Sequence, residues 1–84
     1  MGTLIITFRS VTPAQRAEKL LRSTGIQCDL GRTPRWMEEQ GCGYSIRVRW
    51  GNPEGIASLL RDHKIPFRKM YLQHGNGATE EVAL

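Results

Sequence analysis

A pattern that occurs twice constrains this chain most: an apolar strand, a polar residue followed by proline, a helix, an exit ending in isoleucine, and a further strand. The first copy opens on residues 3–8, Thr-Leu-Ile-Ile-Thr-Phe, rich in β-branched side chains, where Leu4, Ile6 and Phe8 alternate onto one face. Thr12-Pro13-Ala14-Gln15 then reads as a helix start, with Thr12 as N-cap, Pro13 in the first helical position and Gln15 completing a capping box. Ala14, Ala17, Leu21 and Thr24 share a helical face, and Gly25 supplies the stop before Ile26. A strand over 26–31 follows, in which Ile26, Cys28 and Leu30 alternate with Gln27 and Asp29, so Cys28 is expected to point into the core.

The second copy begins with a strand over 43–50, with Tyr44, Ile46, Val48 and Trp50 on one face and Ser45, Arg47 and Arg49 on the other. Asn52-Pro53-Glu54 repeats the cap-then-proline start, and Ile56, Leu59, Leu60 and His63 form the helix stripe before Lys64-Ile65 and the terminating Pro66. The last strand is expected over 67–73, and between the copies Thr33-Pro34 opens a short helix ending at Gly41. Two such units in 84 residues predict one domain over 1–73 of ferredoxin-like βαββαβ topology, a four-stranded antiparallel sheet with two helices on one face. The helix-free face is expected to expose Ile5, Thr7, Arg47 and Arg49, with Lys69 and Tyr71, and residues 74–84 to form a flexible C-terminal tail.

The net charge is +4, and nine of the twelve cations are arginine, whose planar guanidinium suits oxyanions. Met1-Gly2-Thr3 runs straight into the first strand without the basic and apolar regions of a signal peptide, no stretch is long and apolar enough for a membrane span, and a cytoplasmic setting is the expectation. Cys28 and Cys42 form no CxxC pair, and both are expected as free thiols. A zinc site from Cys28, Cys42, His63 and His74 matches no ligand spacing, so neither a metal nor a cofactor is expected.

The segment with chemistry in it is Thr33-Pro34-Arg35, a short spacer, then Gly41-Cys42-Gly43. A thiol between two glycines lacks shielding neighbours, and Arg32, Arg35, Arg47 and Arg49, all close in sequence, would stabilise the thiolate and offer an anion-binding surface. The Thr-Pro-Arg turn, the Cys-Gly pair and the preceding strand–helix unit with its Gly-Ile exit resemble the small selenium/sulfur carrier protein-like family, over Leu4 to Tyr71. The resemblance implies that Cys42 carries sulfur or selenium, with Arg35 at the neighbouring motif position and Thr33, Pro34, Gly41 and Gly43 completing the motif. Gly31-Arg32 departs from the apolar residue, often with proline, expected before Thr-Pro-Arg, and Gly41 from the small polar residue commoner before the cysteine.

Such a carrier takes the atom from a donor enzyme, for instance of the cysteine desulfurase type, as a persulfide or selenosulfide and delivers it to an acceptor enzyme. It needs one exposed nucleophile and no base of its own, so a non-catalytic carrier is expected before an enzyme. The alternative is a nucleic-acid or protein-binding module, using Arg47, Arg49 and Lys69 for phosphates, or the open sheet face or Trp36 for a partner or a homodimer. An RNA-recognition sheet wants aromatic platforms on its central strands, and Tyr44 and Trp50 pattern toward the helices instead.

Overall fold

The structure, a computed structural model, describes residues 2–32, 43–49, 52–75 and 77–82. The elements run β1 (Gly2–Phe8), α1 (Val11–Ser23), β2 (Cys28–Arg32), β3 (Tyr44–Arg49), α2 (Pro53–Asp62), β4 (Met70–His74) and β5 (Thr79–Glu81). They form one antiparallel sheet in the order β2-β3-β1-β4-β5. Thr33 to Cys42, with the short helix expected there and Trp36, lie outside the described residues, as does Trp50.

The period-two pattern of the sequence explains which face is buried. Leu4, Ile6 and Phe8 of β1, Ile46 and Val48 of β3, Cys28 of β2 and Met70 of β4 share one core with Ala14, Ala17 and Leu21 of α1 and Ile56, Ala57 and Leu60 of α2. Both helices therefore cover the same sheet face. The alanines of α1 let it lie close to the sheet, and each large apolar side chain so enclosed contributes about 1.5–3 kcal/mol.

The two helix starts differ. Asn52 caps α2 as expected, its Oδ1 accepting from the backbone N–H of Glu54 and, more distantly, of Gly55. For α1 the expectation is corrected: the helix begins at Val11, Ser10 is its N-cap, and the Ser10 side chain makes no cap hydrogen bond, so Thr12 lies inside the first turn. The two exits match. Gly25 N–H donates to Arg22 O and Ile26 N–H to Leu21 O, while Lys64 N–H donates to Arg61 O and Ile65 N–H to Leu60 O, the paired bonds of a Schellman motif in both.

The left-handed position of that motif is Gly25 at φ +86° in one half and Lys64 at φ +55° in the other. A side chain there crowds the following carbonyl, which costs roughly 1–2 kcal/mol. Lys64→Gly is therefore expected to raise stability by about 1 kcal/mol, seen as a higher urea midpoint at unchanged slope.

Four residues are corrected by position. Thr24 and His63, placed on the buried stripes, are exposed: Thr24 is the C-cap of α1, and the His63 ring nitrogen Nδ1 meets Leu59 O at 3.1 Å at the end of α2. On the helix-free face Ile5 and Thr7 are only 3% and 6% exposed, whereas Arg47 and Arg49 are exposed. Ile5 lies between Arg47 on β3 and Tyr71 on β4.

The sheet has five strands rather than four. β5 arises inside the segment expected as a tail: Gly77, at φ +89°, turns the chain back, His74 N–H donates to Ala78 O, and Val82 N–H donates to Met70 O. Val82 packs against the core, and Lys69 Nζ reaches Glu81 at 3.5 Å. Among the described residues no helix is long and apolar enough to cross a membrane.

Candidate functional site

Of the residues singled out in the sequence, Thr33, Pro34, Arg35, Gly41 and Cys42 lie outside the described residues; Arg32, Gly43, Arg47 and Arg49 are described. Gly43 is buried immediately before β3, at the end of the sheet where β2 finishes and β3 begins. Arg32 is the last residue of β2 and pairs with Tyr44, which in turn pairs with Phe8. Its guanidinium carbon lies 5.9 Å from the centre of the Tyr44 ring, within cation–π range, so Arg32 is held beside the residue that follows Gly43.

Arg47 and Arg49 stand elsewhere. They follow Gly43 by four and six residues, about 13 and 20 Å along an extended strand. The pleat also puts them on the helix-free face, whereas Arg32 shares a row with the core-facing Tyr44. The three arginines therefore do not form one cluster. Arg47 and Arg49 instead line a cavity of about 870 Å³ with Arg22, Cys28 and Asp29, at the end where β2 starts.

Cys28 is a free thiol, 6% exposed, beneath α1. Its Sγ is 3.8 Å from Glu18 O, and Arg22 Nη2 donates to the Cys28 backbone carbonyl at 3.0 Å while pairing with Glu18 at 3.5 Å. Burial pushes the thiol above its ordinary value of 9.0, and outweighs the Arg22 guanidinium that pulls it down. This makes Cys28 a poor nucleophile at neutral pH. Arg22 was not among the residues that sequence reasoning selected, although its i, i+4 spacing from Glu18 was a readable signal.

The raised value has a consequence for stability. A thiol that resists ionisation only when folded adds stability that is fully present below pH 9.0 and is lost as the pH rises through the higher folded value. The stability gap between the unsubstituted chain and Cys28→Ala, measured by urea unfolding, is expected to hold below pH 9.0 and to narrow as the pH is raised above it. A gap that stays constant would contradict the assignment.

Among the described residues no group of three or more His, Cys, Asp or Glu could hold a metal ion. His74 Nε2 meets Glu80 at 3.0 Å, far in role from the buried Cys28. Tyr44 packs against the core, so it offers no stacking platform on the helix-free face.

The family described as "Putative Se/S carrier protein-like" matches residues 3–72. No curated protein and no solved structure matches the chain.

Proposed function

Since the chain belongs to the Se/S carrier protein-like family, we propose that it is a sulfur or selenium carrier whose acceptor group is the Cys42 thiol. The observation that carries this reading is the contrast between the two cysteines. Cys28 is sequestered in the core with a raised pKa, which leaves Cys42, in its Gly-Cys-Gly setting, as the thiol for chemistry.

In the transfer step the Cys42 thiolate attacks the outer sulfur of a donor enzyme's persulfide. The new S–S bond forms as the donor's own sulfur leaves as a thiolate, so no external oxidant or reductant is consumed. A selenosulfide forms in the same way from a donor holding selenium. Delivery to an acceptor enzyme reverses the roles. Arg35 and Arg32 favour the anionic thiolate, and Thr33, Pro34, Gly41 and Gly43 complete the motif around it. The carrier works in the cytoplasm, on one ferredoxin-like βαββαβ unit, a reading supported by the strand order β2-β3-β1-β4 within the sheet.

Intact-mass measurement of the full chain after incubation with a cysteine desulfurase and cysteine, then with a selenium-loaded donor, tests this function. One added sulfur or selenium atom per chain is expected. A chain that gains neither from either donor is not a carrier.

A further inference from the structure

We propose that the cavity between the start of α1 and the connection from α2 to β4 binds a small phosphate-type oxyanion borne on an apolar body. The cavity has a volume of about 670 Å³, within the range of small-molecule sites, and its lining includes Arg9, Arg16, Arg68 and Lys69 with Pro13 and Phe67. Among the described residues no acidic one lines it. Arg9 and Arg16 are exposed, and among the described residues neither side chain has an ion-pair or hydrogen-bond partner.

The fold holds these groups in place from both sides. Arg68 N–H donates to Thr7 O at 2.7 Å, Lys69 N–H donates to Thr7 Oγ1 at 3.0 Å, and the Thr7 hydroxyl donates back to Lys69 O at 3.2 Å. The α2–β4 connection is thus fastened to the end of β1, from which the chain leaves through Arg9. Facing it, Ser10 and Thr12 also line the cavity, the first turn of α1 has no acidic residue, and the Ser10 side chain makes no cap bond. Guanidinium forks meet phosphate-type oxygens bidentately, and the helix start adds a favourable partial charge.

The apolar part of the ligand is set by Pro13, Pro66 and the half-buried Phe67, whose ring has the Arg61 guanidinium carbon 5.9 Å from its centre. Lys69 pairs with Glu81 here, so the anion rests on Arg9 and Arg16; the other arginine-lined cavity fits an anion less well, because Asp29 lines it and Arg22 is committed to Glu18 and the Cys28 carbonyl. None of the residues used here is a thiol, so the inference stands apart from the carrier reading.

Titration of the full chain with phenyl phosphate, inorganic phosphate and benzyl alcohol at constant ionic strength, followed by amide chemical shifts, tests the site. Phenyl phosphate is expected to give saturable shifts at Ser10, Val11, Thr12 and Phe67 to Lys69, and to bind roughly tenfold more tightly than either probe that lacks one half of it. Arg9→Gln with Arg16→Gln is expected to weaken it by about tenfold or more, and Arg47→Gln with Arg49→Gln to leave it unchanged. Shifts that do not saturate, shifts centred on Arg47 and Arg49, equal binding of benzyl alcohol, or unaltered affinity in the Arg9/Arg16 double variant would overturn the proposal.

Discussion

Iodoacetamide at neutral pH is expected to label Cys42 in the folded chain while Cys28 stays largely unmodified, by a rate ratio of roughly a hundredfold or more. Two effects act in the same direction at Cys28. The residue is only 6% exposed, so the reagent reaches it only when α1 lifts from the sheet, and burial raises its pKa, so the attacking thiolate is scarce. An opening that costs about 3 kcal/mol accounts for a hundredfold on its own. In denaturing urea both thiols should react alike. Equal rates in the native chain, or a faster Cys28, would remove the basis for assigning the chemistry to Cys42.

Phe8→Ala is expected to destabilise the fold by about 3–5 kcal/mol, a large share of what a domain of this size commands. Phe8 is 1% exposed and among the largest fully buried side chains. It ends β1 and pairs with Tyr44, the residue after Gly43, in the same row as Arg32. Its loss therefore empties the core beneath the point where the chain enters β3. Phe8→Leu, which keeps most of the volume, should cost no more than about 1.5 kcal/mol. Urea unfolding separates the two; a loss below about 1 kcal/mol for Phe8→Ala would show that this end of the sheet is held by something else.

The sheet core was readable in the sequence because its signal is geometric. Leu4, Ile6 and Phe8, and Tyr44, Ile46 and Val48, alternate strictly, and only one register buries both sets. The start of α2 was readable for the same kind of reason, since Asn52-Pro53 allows few other conformations. The start of α1 was not, because Ser10 and Thr12 are both good caps and Pro13 is tolerated anywhere in a first turn.

β5 was missed because Thr79-Glu80-Glu81 has little strand character, and what holds it is long-range: the Val82–Met70 bond and the Lys69–Glu81 ion pair. Asn76-Gly77, a hairpin dipeptide, was the local signal available. Ile5 and Thr7 were assigned to an open face because alternation places them opposite the helices. It cannot register that Ile5 is flanked by Arg47 and Tyr71, whose long side chains can cover apolar surface. Cys28 was legible as a core thiol from its alternation with Ile26 and Leu30, and proximity in sequence misled for the arginines: Arg32 and Arg47 are on opposite faces of one sheet.

The most direct test of the carrier assignment compares intact masses of three chains, unsubstituted, Cys42→Ala and Cys28→Ala, after equal exposure to a cysteine desulfurase and cysteine. One added sulfur per chain is expected on the unsubstituted protein and on Cys28→Ala, and none on Cys42→Ala, with amide exchange showing that Cys42→Ala remains folded. Retention of one added sulfur by Cys42→Ala, or its loss in a folded Cys28→Ala, would contradict the assignment of the carrier thiol to Cys42.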